Sequence, residues 1–326
     1  MPSSISNLQC VFLDVDSLRP QELSLKNLEQ QGTEWKFYSM TTADQIAERL
    51  KNAEIVVSNK VILGKNELSI ARKLKLICVA ATGTNNVDLE AAKERGIAVC
   101  NVRGYATASV TQHVFGLMIS LASNLAAYRE AVKKGEWSKS HQFCLLNYPI
   151  IELQGKKLGI VGNGVLGKAV SKLASDFGME LLIAESLRLD APEDKQRVPL
   201  DVVFREADFL SLHCPLSEQT QGLINKKNLK KMKPTSFLIN TSRGGLIVEE
   251  DLVWALETGQ IQGAALDVLS VEPPHYNNPL LGLNLPNLLI TPHIAWASQD
   301  SRQRLVDQIA SVLTSYINGP VINRVC

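Results

Sequence analysis

Strand-like apolar runs alternate with helical patterns from one end of this chain to the other, and that alternation leaves few folds open to it. The first runs lie at Cys10–Leu13, Trp35–Tyr38, Ile55–Ser58, Leu76–Ala80 and Ala98–Asn101, with helical patterns at Asp44–Lys51, Lys65–Arg72 and Leu89–Arg95 between them. Strands joined through helices pair in parallel, so the pattern predicts an α/β fold with helix-covered sheets. A helix rich in Ala and Leu should follow, from about Thr107 to Ala127. A second set of strands comes next, at Lys157–Val161, Leu181–Ala184, Phe209–His213, Phe237–Asn240, Gly263–Asp267 and Asn287–Thr291. The chain closes on a helix over Ser298–Ile317. With 326 residues, about two domains are expected. The first five strands make a complete doubly wound unit, whereas the last helix has no sheet of its own. It is therefore expected to cross back onto the first unit, which makes the second domain an insertion. Gly135–Pro149 reads as a long connecting loop, of the kind that serves function or an interface.

The second set opens on Gly162-Asn163-Gly164-Val165-Leu166-Gly167, directly after the apolar run Leu158–Val161 and before a helix starting near Val165. In that context Gly162 permits a sharp turn, Gly164 lets a pyrophosphate approach, and Gly167 lets helix and strand pack closely. The free N–H groups of the helix end would then bind phosphate. Glycine-rich turns also arise for steric reasons alone, so the acidic residue about twenty positions on carries weight. Glu185 closes the next apolar run, where a carboxylate suits the two hydroxyls of an adenosine ribose and repels a 2′-phosphate. A solvated strand end is the plainer reading of Glu185 by itself. Together the features favour NAD, with Arg188 close behind leaving NADP open.

Composition removes several classes of function. Thirty-four Lys and Arg balance 33 Asp and Glu, for a formal charge of +1, so nothing draws the chain to nucleic acid or an anionic membrane. The densest basic run, Lys226 and Lys227 with Lys230, Lys231 and Lys233, reads as the solvated face of a short helix. No apolar run is long enough to cross a bilayer, and the amino-terminal residues lack the pattern of a secretory signal. Six scattered cysteines without a CxxC pair fit a reducing, cytoplasmic setting. Five histidines without ligand spacing offer no metal site.

Ligands of open α/β sheets bind at the carboxyl ends of the strands. Those ends read Ala81-Thr82-Gly83-Thr84-Asn85, His213-Cys214-Pro215, Thr241-Ser242-Arg243-Gly244-Gly245, Asp267 with Glu272 beyond it, and Pro292-His293. Three of these residues form a chemically complete set. Arg243 offers a planar fork of donors that matches a carboxylate. His293 can exchange a proton with an oxygen near neutral pH, and Glu272 can hold the other imidazole nitrogen and favour the charged ring. With a nicotinamide, the set could reduce a 2-oxo acid, backbone N–H groups around Thr82 and Gly83 completing the carboxylate site. Singly, each has an ordinary reading: Arg243 as a surface residue, His293 as a cap on the final helix, Glu272 as a solvated turn. His113, His141 and His275 read as packing or locally bonded residues. Asn59 and Lys60, after the third strand, are open between the substrate's distal end and a solvated loop.

Over essentially its whole length the chain resembles the D-isomer-specific 2-hydroxyacid dehydrogenases. The matching pieces are Gly162–Gly167, Asn240-Thr241-Ser242-Arg243-Gly244-Gly245, Ala265-Leu266-Asp267-Val268 with Glu272-Pro273, and Thr291-Pro292-His293-Ile294-Ala295. The resemblance implies a Rossmann NAD-binding domain over residues 103–294, inserted into a flavodoxin-like catalytic domain built from residues 1–102 and 295–326. It implies Arg243, Glu272 and His293 as the catalytic residues, with Thr82, Gly83, Arg243 and His293 at the substrate. It also implies contact with NAD at Thr82, Val165, Leu166, Glu185, Cys214, Thr241 and Asp267. Pro215, Ser242, Arg243, His293 and Ala295 on the same strand ends join them, so Cys214 need not be a nucleophile. Asn101–Tyr105, Thr111–Phe115 and Trp296 look like the glycerate (hydroxypyruvate) dehydrogenase branch, whose substrates would be hydroxypyruvate or glyoxylate. Pyruvate or a larger 2-oxo acid is the alternative. Formate dehydrogenase relatives carry glutamine where Glu272 stands, and long 3-phosphoglycerate dehydrogenases carry regulatory domains for which a chain ending at Cys326 has no room. Corepressors resembling the family use the fold to sense NADH, a second class of function, but the intact catalytic set favours an enzyme. A homodimer through the cofactor domain is the expected assembly.

Overall fold

The computed structural model describes residues 8–29, 33–188, 194, 196–283 and 285–326. The chain divides into two compact units, Met1–Ala106 with Trp296–Cys326, and Thr107–Ala295.

The first unit holds a five-stranded, all-parallel sheet of β1 (Leu8–Phe12), β2 (Thr33–Phe37), β3 (Ile55–Ser58), β4 (Leu76–Val79) and β5 (Ala98–Cys100), in the order β2-β1-β3-β4-β5. Both faces are covered, which is why the inner strands read as unbroken apolar runs rather than alternating ones. Cys10, Phe12, Ile55, Val57, Leu76 and Cys78 point to one face, packed against Leu305, Ile309 and Leu313 of the final helix, Gln299–Asn318. Val11, Leu13, Val56, Ile77 and Val79 point to the other, against Ile46, Leu50 and Leu68 of the earlier helices. Ser298 caps the final helix, its hydroxyl accepting the Ser301 amide.

The second unit is also an all-parallel sheet: β6 (Lys157–Val161), β7 (Glu180–Ile183), β8 (Phe209–Leu212), β9 (Phe237–Asn240), β10 (Gly263–Leu266) and β11 (Leu288–Ile290). Its order is β11-β10-β9-β8-β6-β7, and a parallel bridge from Ala184 to Val198 extends the β7 edge. The winding reverses between β6 and β8, so a crevice for a ligand opens at their carboxyl ends. Two doubly wound parallel sheets are thus present, and the strands fall within about two residues of where the apolar runs put them.

One expected element differs. The helix anticipated over Thr107–Ala127 ends at Ala122 and restarts as Leu125–Lys133. Asn124 sits between them in the left-handed region (φ 50°), a conformation that asparagine tolerates better than most residues, and its side chain donates to the Pro149 carbonyl. The break turns the chain into the 134–150 segment, which carries only the short turn Trp137–Lys139.

Candidate active site in the second unit

Gly162 closes β6 with φ 98°, and a Cβ there would lie 2.4 Å from the Cys214 amide nitrogen. Only glycine fits both the dihedral and the contact. Gly167 is held as tightly, since a Cβ would meet the Gly162 carbonyl oxygen at 2.1 Å. Gly164 is different: nothing stands within 4 Å of the place its Cβ would occupy. It is the N-cap of the helix Val165–Asp176, whose first N–H groups have no acceptor inside the helix. Val165 is exposed at that end and Leu166 half-buried. An open cradle beside twelve residues of aligned helix is what a pyrophosphate requires.

Buried polar atoms without a protein partner lie at the same carboxyl ends: Asn163 Oδ1 after β6, His213 Nδ1 after β8 and Thr241 Oγ1 after β9. Buried polar atoms are normally paired, so this cluster fits a polar ligand. Glu185 stands exposed at the end of β7, its Oε1 accepting the Leu200 amide at 3.3 Å. These residues suit NAD, from pyrophosphate to adenosine ribose. Cys214 is buried, and burial pushes its thiol up to about 11, so it stays protonated and contributes a wall rather than a nucleophile. Pro215 follows it, its carbonyl accepting the Thr220 hydroxyl at 2.7 Å.

Arg243, Glu272 and His293 come from three successive sheet positions. Arg243 follows β9, Glu272 follows β10 in sequence, and His293 follows β11; these strands are neighbours in register, Asn240 beside Leu266 and Leu266 beside Ile290. The turn after β9 is clamped by the buried Asn240. Its Nδ2 donates to the Arg243 carbonyl at 2.9 Å and its Oδ1 accepts the Ser242 amide at 3.0 Å. Ser242 Oγ donates to the Cys214 carbonyl, tying β9 to β8. Arg243 itself uses one guanidinium nitrogen on the Ser242 carbonyl.

Glu272 and His293 are bonded directly. Glu272 Oε2 lies 2.5 Å from His293 Nδ1, while Oε1 accepts the Leu269 amide at 3.0 Å. The carboxylate is fixed at both oxygens, and the imidazole is left with Nε2 for proton transfer. His293 adopts φ 54°, a left-handed backbone, and donates its amide to the Asp267 carbonyl at 2.8 Å. A non-glycine residue holds that conformation only where its surroundings impose it.

Asp267, buried at 1% exposure, supplies much of that imposition. Its Oδ1 accepts the Thr291 hydroxyl and the Ile294 amide, and its Oδ2 the Ala295 amide. The carboxylate therefore braces the His293 turn. The sequence does not announce this brace, because it joins Asp267 to a segment 24–28 positions away. The Asn240 clamp is local, two and three positions along the turn, but Asn240 reads as the last residue of a strand. His113, expected to pack or bond locally, instead bonds Thr291, 178 positions away in the chain. Thr82 and Gly83 belong to the first unit, in the loop after β4, where the Thr82 hydroxyl donates to the Val102 carbonyl at 2.9 Å. Asn59 is buried there and donates its amide to Asp14, so its backbone serves the loop. Among the described residues there is no cluster that could hold a metal ion, and no helix is long and apolar enough to cross a membrane.

Comparison with known proteins bears on this geometry. Residues 115–295 match the family model described as "D-isomer specific 2-hydroxyacid dehydrogenase, NAD binding domain". A glycerate dehydrogenase from Methylorubrum extorquens is 42% identical over 312 residues, 95% of this chain and 96% of its own. A hydroxypyruvate reductase from Blautia hydrogenotrophica is 39% identical over 321 residues, 97% of this chain and 99% of its own. Among solved structures, a protein from Thermus thermophilus superposes with a TM-score of 0.86 at 31% identity, covering 98% of this chain and all of that one.

Proposed function

The chain belongs to the D-isomer-specific 2-hydroxyacid dehydrogenases, NAD-dependent oxidoreductases acting on the CH–OH group, and we propose that within them it reduces hydroxypyruvate and glyoxylate to D-glycerate and glycolate. The observation that carries the chemistry is the 2.5 Å contact between Glu272 and His293 beside the Arg243 turn. Arg243 holds the substrate carboxylate through its guanidinium fork. Thr82 and Gly83, in the loop after β4, are the further positions proposed for substrate binding. His293, held at Nδ1 by Glu272, gives the Nε2 proton to the substrate's carbonyl oxygen as it becomes a hydroxyl. Reduced nicotinamide, held through the Gly162–Gly167 turn and Glu185, would supply the hydride. One proton and one hydride convert the oxo acid to the hydroxy acid, and the imidazole recovers its proton from water. Residues 1–102 and 295–326 would serve the substrate, and residues 103–294 the cofactor.

The substrate assignment draws on the names of the two relatives, and pyruvate or a larger 2-oxo acid is the competing choice. Rates of NADH oxidation with hydroxypyruvate, glyoxylate and pyruvate decide between them; a rate with pyruvate above the other two would overturn the assignment. In the same assay His293→Ala should keep NADH binding and lose turnover by about 10²- to 10⁴-fold. Undiminished turnover would remove His293 from the mechanism.

A homodimer formed through the second unit completes the proposal. Val132, Trp137 and Phe143 are exposed there and line one apolar hollow with Tyr128, Cys144 and Leu145. Exposed apolar surface of that kind favours a partner surface. A monomer mass by light scattering at micromolar concentration would rule it out. All six cysteines are free thiols, in keeping with a reducing compartment such as the cytoplasm.

A further inference from the structure

We infer that His113 is a positioning residue for the proton donor, acting through Thr291 and Asp267 on the segment that carries His293. This rests on the reading of His293 as that donor. His113 and Ser109 lie one turn apart on the helix Thr107–Ala122 and so share a face. Ser109 Oγ donates to the Ala295 carbonyl at 2.6 Å. His113 Nε2 lies 2.9 Å from Thr291 Oγ1 and 3.5 Å from Asp267 Oδ1. The helix thereby holds the segment 291–295 at both ends, with His293 midway.

Proton accounting sets the direction of the chain. Asp267 is a carboxylate and can only accept, so the Thr291 hydroxyl donates to Oδ1 across 2.5 Å. Having spent its single hydrogen there, Thr291 Oγ1 can only accept from His113. Nε2 of His113 therefore carries hydrogen, and the order is His113 Nε2–H to Thr291 Oγ1–H to Asp267 Oδ1. Without His113 the hydroxyl keeps its acceptor, Asp267 Oδ1, but loses the N–H that polarises it and fixes its lone pairs. One of the three hydrogen bonds that the buried carboxylate draws from residues 291–295 is thereby weakened.

The consequence falls on His293. Its left-handed backbone is sustained by the Asp267 carbonyl on its own amide and by the Asp267 carboxylate on the next two. Displacing a reacting group by about 1 Å can lower a rate about 10²-fold, so slack in this brace should appear in turnover before it appears in binding. The glycine turn after β6 and the Glu185 end of β7 take no part in the network.

The test compares His113→Leu, His113→Gln and Thr291→Val with the wild type. His113→Leu and Thr291→Val should each lower kcat about tenfold or more while NADH affinity, read by fluorescence without substrate, stays within about twofold. Amide hydrogen exchange at Ile294 and Ala295 should speed up in both. His113→Gln places an amide nitrogen near the position of Nε2 and should restore most of the rate and the protection. The double variant His113→Leu/Thr291→Val should be no worse than the poorer single one, because both remove the same link. The inference is overturned by wild-type kcat and exchange in His113→Leu, by a His113→Gln variant as impaired as His113→Leu, or by NADH affinity falling in step with kcat. Should the wild type reduce no 2-oxo acid, the proposed function fails by itself, and exchange at Ile294 and Ala295 still decides on the brace.

Discussion

Glu185 shows how much one side chain at a strand end can decide. Exposed after β7 and accepting the Leu200 amide, it presents a negative charge where the adenosine ribose of NAD would lie. A 2′-phosphate there would meet like charge, a repulsion that solvent screens at an exposed position but does not abolish. Glu185→Gln keeps the shape and removes the charge, so the preference for NADH over NADPH should narrow by about tenfold or more, a difference of ~1.4 kcal/mol. Identical preference ratios for the two proteins, from kcat/KM with each cofactor, would remove the ribose argument. Glu185, Arg243 and His293 are legible in the sequence because each stands within three residues of the end of a strand-like run, and their chemistry is of a kind that strand ends use. Asn240 and His113 could not: the one reads as the last residue of a strand, the other as a polar residue on an apolar helix. Their partners are set by the turn after β9 and by Thr291, just past the end of β11 and 178 positions from His113.

Elements constrain each other most closely where glycines meet backbone. Gly244 follows Arg243, and a Cβ on it would lie 1.9 Å from the Leu269 carbonyl carbon and 2.4 Å from the Ser270 nitrogen. Neither neighbour is the movable end of a side chain, so Gly244→Ala must push apart the loops after β9 and β10. A cost of about 3 kcal/mol, the upper range for overpacking, is expected, seen as a lower midpoint of thermal unfolding. Gly164→Ala is its opposite. Open space surrounds that position, so the unfolding midpoint should stay while NADH affinity falls about tenfold or more, because the new methyl occupies the phosphate cradle. A shared outcome for the two variants, in either direction, would contradict the division between structural and ligand-serving glycines. The GxGxxG spacing already gives the three glycines different duties. The packed neighbours supply the physical ground: Gly162 and Gly167 are hemmed in by backbone, whereas open space surrounds Gly164.

At the scale of the whole molecule, the response to acid should follow a residue outside the proposed chemistry. His213 follows β8 with Nε2 at 2.9 Å from Ser211 Oγ, and burial lowers its pKa from 6.5 to about 4. The unfolded chain takes up this proton near pH 6.5 and the folded protein only near 4. Its contribution is thus fully present above about pH 6.5 and is lost as the pH falls toward 4, by about 3 kcal/mol at most. His213→Asn should flatten the fall of the unfolding midpoint between pH 6.5 and 4, and parallel curves for the two proteins would assign the acid response to other groups. By itself the sequence determined the class of fold. Apolar runs of strand length, separated by helical patterns, can bury their backbone polar groups and both faces only as parallel sheets covered by helices. It also named the family, through residues whose spacing follows from strand ends and a phosphate turn. The tertiary structure alone decided which polar atoms meet. The bond from Asn124 to Pro149 and the chain from His113 through Thr291 to Asp267 depend on contacts between segments 24 to 178 positions apart in sequence. Hydrogen bonds are short-ranged and directional, so their partners are not fixed until packing brings the segments within about 3 Å.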